Sequence, residues 1–176
     1  MRFKLLCLFI LLMIATTCFA QRYSDARNVN LSGQILKNGY GIVAGYEQLF
    51  GKNWNAFLVD VEYMNRSENL RVKDYKATLL NLNIIAGYRR YLSYNDFHPY
   101  FSIKGFIGHE SFTNKKDMPE SVILDRKNGV QYGAGLDIGA EYSLKKISFM
   151  GAYNPKYEFR NTEFISSFQF GVKYYF

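Results

Sequence analysis

Apolar and polar residues alternate with a period of two along most of the chain. Between Val130 and Leu144, the residues Val130, Tyr132, Ala134, Leu136, Ile138, Ala140, Tyr142 and Leu144 are apolar or aromatic. The interleaved set, Gln131, Gly133, Gly135, Asp137, Gly139, Glu141 and Ser143, is small or polar. The C-terminal segment repeats this: Phe168, Phe170, Val172, Tyr174 and Phe176 alternate with Gln169, Gly171, Lys173 and Tyr175. Successive side chains of a strand point to opposite faces, so the period predicts strands with one apolar and one polar face. Eight segments carry it: 28–36, 40–50, 54–64, 76–92, 99–112, 129–144, 147–155 and 164–176. Turn signals separate them at Lys37-Asn38-Gly39, Gly51-Lys52-Asn53, Ser93 to His98 and Lys145-Lys146. No capped helical period intervenes, and strands joined by short connections run antiparallel. The expected fold is all-β, a closed meander barrel or a sandwich.

The character of the polar face decides between a soluble and a membrane barrel. It is rich in Gly and short acids, which suit a crowded interior better than a solvated exterior. Tyr40, Tyr63, Tyr88, Tyr91, Tyr142, Tyr153 and Tyr174 fall near strand ends, as the aromatic girdles of outer-membrane barrels do. The connections 51–53, 93–98 and 145–146 are short, whereas 65–75, 113–128 and 156–163 are long. Only 37–39 departs from the rule of short periplasmic turns and longer outer loops. The expectation is an eight-stranded antiparallel up-and-down transmembrane β-barrel in a bacterial outer membrane. Continuing the alternation places Glu47, Asp60, Glu62, Asn81, Asn83, Arg89, Lys104, Glu110, Asp137, Glu141 and Lys173 on its inner face. Acids and bases are mixed there, and eight strands leave room only for side chains. A salt-bridged polar lumen follows, with Glu47, Asp60, Glu62, Arg89, Lys104, Asp137, Glu141 and Lys173 as its charged network. Phe170, Val172, Tyr174 and Phe176 form an apolar closing strand resembling the terminal signal read by the outer-membrane assembly machinery.

The first twenty residues change the reading of the rest. Arg2 and Lys4 precede an apolar run from Leu5 to Ala15, and Ala20 stands before Gln21. This is the pattern of a cleaved secretory signal peptide, leaving residues 21–176 as the barrel domain. Lipidation at Cys18 is the alternative, although a lipobox usually has Leu where Ala15 stands and Gly or Ala where Thr17 stands. Both cysteines, Cys7 and Cys18, leave with the signal, and with them any disulfide or thiolate chemistry.

With 48% hydrophobic and 18% aromatic residues, the chain is too apolar to be disordered. The net charge of +7 is spread along it and falls to +5 without Arg2 and Lys4. Arg66, Arg71, Lys73 and Lys76, set against Glu68 and Asp74, are expected at the outer rim, where they would meet lipopolysaccharide phosphates. Nucleic-acid binding would want a clustered basic stripe with exposed stacking rings, so no direct nucleic-acid contact is expected. His109 and Glu110 are adjacent on one strand and point to opposite faces, so they cannot form a dyad. Asp117, Glu120 and Asp125 share a segment with Lys115, Lys116, Arg126 and Lys127, which reads as a solvated, self-paired loop. Catalytic residues, a metal site and a cofactor are all expected to be absent.

Several stretches resemble the TraO family of conjugative transposons of Bacteroidetes. They are Val61-Glu62-Tyr63-Met64, the run Ile85-Ala86-Gly87-Tyr88-Arg89-Arg90-Tyr91-Leu92, and Tyr100 to Glu110. Tyr132-Gly133-Ala134-Gly135-Leu136, Asn154 to Phe159, and Phe168 to Lys173 complete the set. The resemblance implies an outer-membrane barrel that serves a mating apparatus as a structural or anchoring subunit, with other conjugation proteins as partners. It brings no catalytic residues. The alternative is a general small outer-membrane barrel for adhesion or envelope integrity.

Overall fold

In a computed structural model of the chain, the structure describes residues 26–51, 55–69, 76–93, 96–112 and 128–176. The expected signal peptide, Cys18, the rim residues Arg71, Lys73 and Asp74, and the acidic and basic residues of 113–127 lie outside the described residues. Eight strands follow one another: β1 (Arg27–Leu36), β2 (Gly39–Phe50), β3 (Asn55–Asn69), β4 (Lys76–Tyr91), β5 (Phe97–Phe112), β6 (Gly129–Leu144), β7 (Ile147–Glu158) and β8 (Glu163–Tyr175). Each pairs antiparallel with the next, and β8 returns to β1 to close the barrel. Closure leaves no sheet edge, so backbone groups of the strands can be satisfied without water.

The register fixes the shape. Asn28 on β1 stands opposite Glu47, and successive partners lead through Leu58, Gly87, Lys104, Gly135 and Lys156 to Ile165 on β8. Extending the β8–β1 register by two residues brings Ile165 opposite position 38, ten residues beyond the start. Eight strands with a stagger of ten give a tilt of about 40° and a backbone radius of about 8 Å, from ordinary strand spacings. Side chains fill an interior of that size.

The strands match the alternation closely, with two differences. β3 continues to Asn69 because its pairing with β4 runs on through Asn65↔Leu80 to Asn69↔Lys76. β7 continues to Glu158 because its pairing with β8 runs on to Glu158↔Glu163. The expected long connection 156–163 is therefore a turn of residues 159–162, with Thr162 at φ 50°. At that end of the barrel the expected connection 65–75 likewise shortens to 70–75, and 113–128 remains long. The opposite end carries 51–54, 92–96 and the two-residue turn Lys145-Lys146, in which Lys145 takes the left-handed φ of 58°.

One stretch of the ladder is interrupted. The pairs Leu136–Pro155 and Asp137–Asn154 are missing from the β6–β7 register. Phe159 donates its N–H to the Tyr132 carbonyl at 3.0 Å, so alternate residues of β7 donate to β6. Pro155 falls in that series without an N–H to give, leaving the Leu136 carbonyl without its ladder donor.

Outside, the barrel is apolar. Leu31, Val59, Val61, Ile84, Ile103, Leu136, Ile138, Phe170 and Val172 are all exposed on the outer surface. Rings flank them towards both ends: Tyr40, Tyr63, Tyr132, Tyr157, Phe159 and Phe164 at one, Phe57, Phe97, Phe101, Phe149 and Tyr174 at the other. Tyr91, expected among the girdle rings, instead points into the barrel, because it shares the parity of Arg89 on β4.

Candidate functional site

The inner face carries the charges. Glu47, Asp60, Glu62, Asn81, Asn83, Arg89, Lys104, Glu110, Asp137, Glu141 and Lys173 are all buried within the barrel. His109 is exposed while Glu110 is buried, as opposite parity requires.

Around Glu47, near the short-turn end, the pairing is dense. Arg89 donates from Nη1 to Glu47 at 2.9 Å, from Nε to the Ser102 hydroxyl at 2.9 Å and from Nη2 to Asp137 at 3.4 Å. A planar fork with several donors serves three acceptors on three strands, which a lysine could not do. Lys173 reaches Glu47 at 2.6 Å, Glu141 at 2.9 Å and the Tyr91 hydroxyl at 2.9 Å. Tyr91 donates to Glu47 at 2.5 Å, and Tyr175 donates to Glu141 at 2.5 Å. Lys104 pairs with Asp137 at 2.6 Å and donates to Asn154 at 3.4 Å. Asn154 donates onward to Gln169 at 2.6 Å, and Gln169 to Ser32 at 2.5 Å.

A second network lies towards the long-loop end. Glu62 accepts from Lys156, from Gln34 at 2.9 Å and from Asn83 at 2.9 Å. Gln131 donates to Asn83 at 2.6 Å, and Asn81 donates to Gln131 at 2.9 Å and to Glu110 at 3.1 Å. Arg66 completes it, with Nη2 at 3.1 Å from Glu110 and Nη1 at 2.6 Å from Glu163. Asp60 accepts from Asn30 at 3.3 Å and lies within the electrostatic reach of Lys104 and Arg89.

Arg66 corrects an expectation. The sequence placed it at the outer rim among lipopolysaccharide phosphates, but it lies on β3, turned inward and only 7% exposed. Extension of β3 past position 64 gives Arg66 the inward parity of Glu62 and Met64. Lys156 and Glu158 were missed for the same reason: they fell in an expected connection, yet both are buried on β7. Carrying the parity of Asn154 forward would have found them.

Apolar side chains plug the gaps between the networks. Leu49, Ala56, Tyr91, Tyr100, Ala152 and Tyr175 cluster near the short-turn end. Leu58, Ile85 and Phe106 pack together in the barrel, as do Leu36, Met64 and Ile165. The Tyr100 hydroxyl has no hydrogen-bond partner among the described residues, but its ring lies beneath the Arg89 guanidinium, 4.2 Å from centroid to carbon. Glycine makes room for the rings: a Cβ on Gly133 would meet the Phe106 ring at 2.6 Å and would press closer still on the Tyr157 carbonyl. Among the described residues, no group of three or more His, Cys, Asp or Glu is disposed to hold a metal ion.

A closed barrel with apolar side chains outside and paired charges inside is built to sit in a bilayer. No protein-family model matches the chain, and no curated protein does. Solved structures do. A major outer membrane protein from Thermus thermophilus aligns over 88% of this chain and 100% of its own, at 14% identity and TM-score 0.59. Neisserial surface protein A aligns over 86% of this chain and 96% of its own, at 11% identity and TM-score 0.58. The N-terminal β-barrel domain of Pseudomonas aeruginosa OprF covers 88% of this chain and 100% of its own, at 12% identity and TM-score 0.54. The chain therefore has the fold of the small eight-stranded outer-membrane barrels.

Proposed function

We propose that the chain is a structural, non-conducting barrel of the outer membrane that anchors a conjugative mating apparatus. The observation that carries the anchoring role is the filled lumen. The Glu47–Arg89–Lys173 cluster and the Glu62–Lys156 pair cross an interior already occupied by Tyr91, Tyr100 and Phe106. A strand of DNA needs far more room than eight strands enclose, so the barrel is an attachment point and not the conduit. The link to conjugation rests on the resemblance carried by Val61–Met64, Ile85–Leu92, Tyr100–Glu110 and Asn154–Phe159. On this reading its surroundings are outer-membrane lipid, lipopolysaccharide, the assembly machinery and other conjugation proteins.

The test joins two measurements. Affinity purification from donor-cell envelopes should recover other transfer proteins, and deletion of the gene should depress transfer frequency. Normal transfer after deletion removes the chain from the apparatus. A large, stable conductance from the purified barrel in planar bilayers overturns the non-conducting role.

A second reading, adhesion or envelope integrity, is favoured by the likeness to a surface protein and a major outer membrane protein. It expects deletion to leave transfer intact while cell attachment or detergent resistance falls.

A further inference from the structure

Arg90 is a cation on the outer face of the barrel, within the aromatic girdle of the short-turn end. Its neighbours across β4 are Asn55 on β3 and Phe101 on β5. Its Nη1 donates to Asn55 Oδ1 at 3.1 Å, and the Tyr88 hydroxyl donates to the same oxygen at 2.6 Å. That amide oxygen orients the guanidinium but does not neutralise it, and no carboxylate of the described residues pairs with Arg90. Phe50 and Phe57 stack with centroids 4.5 Å apart, and the Tyr88 ring lies 6.3 and 6.5 Å from them. The fixed cation thus stands at the edge of a continuous aromatic floor. Arg27, Lys145 and Lys146 are exposed at the same end. Among the described residues no exposed side-chain carboxylate accompanies them, and Asp96 there is buried.

We propose that Arg90, Asn55 and Tyr88 form a headgroup site for an anionic lipid phosphate in the leaflet at the short-turn rim. An oriented guanidinium pairs with phosphate oxygens through two parallel N–H donors, and the tyrosine positions the amide that holds it. The acyl chains of that lipid run along Phe57 and Phe50 towards the apolar belt. Arg27, Lys145 and Lys146 add positive charge elsewhere on the same rim, and a lipid phosphate supplies the counter-charge that no side-chain carboxylate of the described residues gives Arg90. The inference rests on the barrel spanning a bilayer and is independent of any role in conjugation.

Trp54, the single tryptophan of the chain, adjoins Asn55 in sequence and is the fluorophore of the assay. The full barrel is reconstituted in phosphatidylcholine vesicles containing a fraction of brominated phosphatidylglycerol. Quenching is compared with that from brominated phosphatidylcholine at the same fraction. The wild-type protein should favour the anionic lipid by about fivefold, the contribution of one arginine at an anionic surface. Arg90→Gln should bring the ratio near unity, Arg90→Lys should keep much of it, and Asn55→Ala should lower it by freeing the guanidinium. Circular dichroism confirms that each variant is folded, and the lysine variant separates charge from packing.

Equal preference in wild type and Arg90→Gln overturns the proposal, as does no preference in wild type. Loss of the preference on adding inorganic phosphate assigns the site to free phosphate and overturns the lipid assignment. Exclusion of both brominated lipids, with cross-linking of two copies through this face, overturns it in favour of a second copy of the chain.

Discussion

Lys173 on β8 and Glu47 on β2 meet at 2.6 Å, and neither side chain is exposed to solvent. They lie 126 residues apart in the chain, and β1, to which both strands pair, separates them. Lys173 also holds Glu141 on β6, so one ammonium ties together strands on both sides of the closing seam. The last strand is therefore held to its neighbours by the β1 ladder and again by charge inside the barrel.

Removing that ammonium leaves Glu47 with Arg89 and the Tyr91 hydroxyl, and Glu141 with Tyr91 and Tyr175. Lys173→Met should destabilise the barrel by about 3–5 kcal/mol, the usual cost of leaving a buried partner uncompensated. Adding Glu141→Gln should recover part of the loss. Urea titration of refolding into lipid vesicles measures both, and additive effects of the two substitutions would refute the coupling.

Depth in the bilayer should grade the outer face. Leu136 is exposed on the apolar belt, and Val130 is exposed at the start of the same strand. Leu136→Arg should cost ~2–4 kcal/mol, as arginine does at the midplane, and Val130→Arg about 0–1 kcal/mol, as it does near an interface. Equal costs in the same refolding assay would mean that Leu136 sits no deeper in the bilayer than Val130.

The fit of Phe106 against Gly133 is tight enough to test by overpacking. Gly133→Val should cost about 1–3 kcal/mol, the range for added methylenes in a filled core. Phe106→Ala in the same chain should relieve only part of it, because the Tyr157 carbonyl also stands in the way. Full rescue would show that the ring alone sets the limit.

Topology has a direct readout at Lys145-Lys146, which is exposed in the tight β6–β7 turn. With the short turns in the periplasm, trypsin added to intact cells should leave this turn uncut, and cutting should appear once the outer membrane is permeabilised. Cleavage in intact cells would invert the orientation.

The alternation by itself determined a great deal here. It was enough to number the strands, to set most of their limits within a few residues and to sort Leu136 from Asp137 by face. Parity is a local property: once one residue of a strand is known to face inward, every second neighbour is assigned with it. The rule fails where a strand end is misjudged, as at Arg66, Lys156 and Glu158. There the ladder runs on through polar residues, and composition suggested a loop. At Tyr91 the rule holds, and the place near a strand end suggested the girdle against the parity of Arg89. Partnership was another matter. The meeting of Lys173 with Glu47, or of Arg66 with Glu163, follows from the stagger of ten residues around the closed barrel. That stagger depends on all eight registers at once and on no single segment. The tertiary structure alone decided that Tyr91 reaches Glu47, that Phe106 fills the space Gly133 leaves, and that Arg90 meets Asn55 at the rim. Each is a contact between strands, and closure of the barrel sets the distance across which it forms.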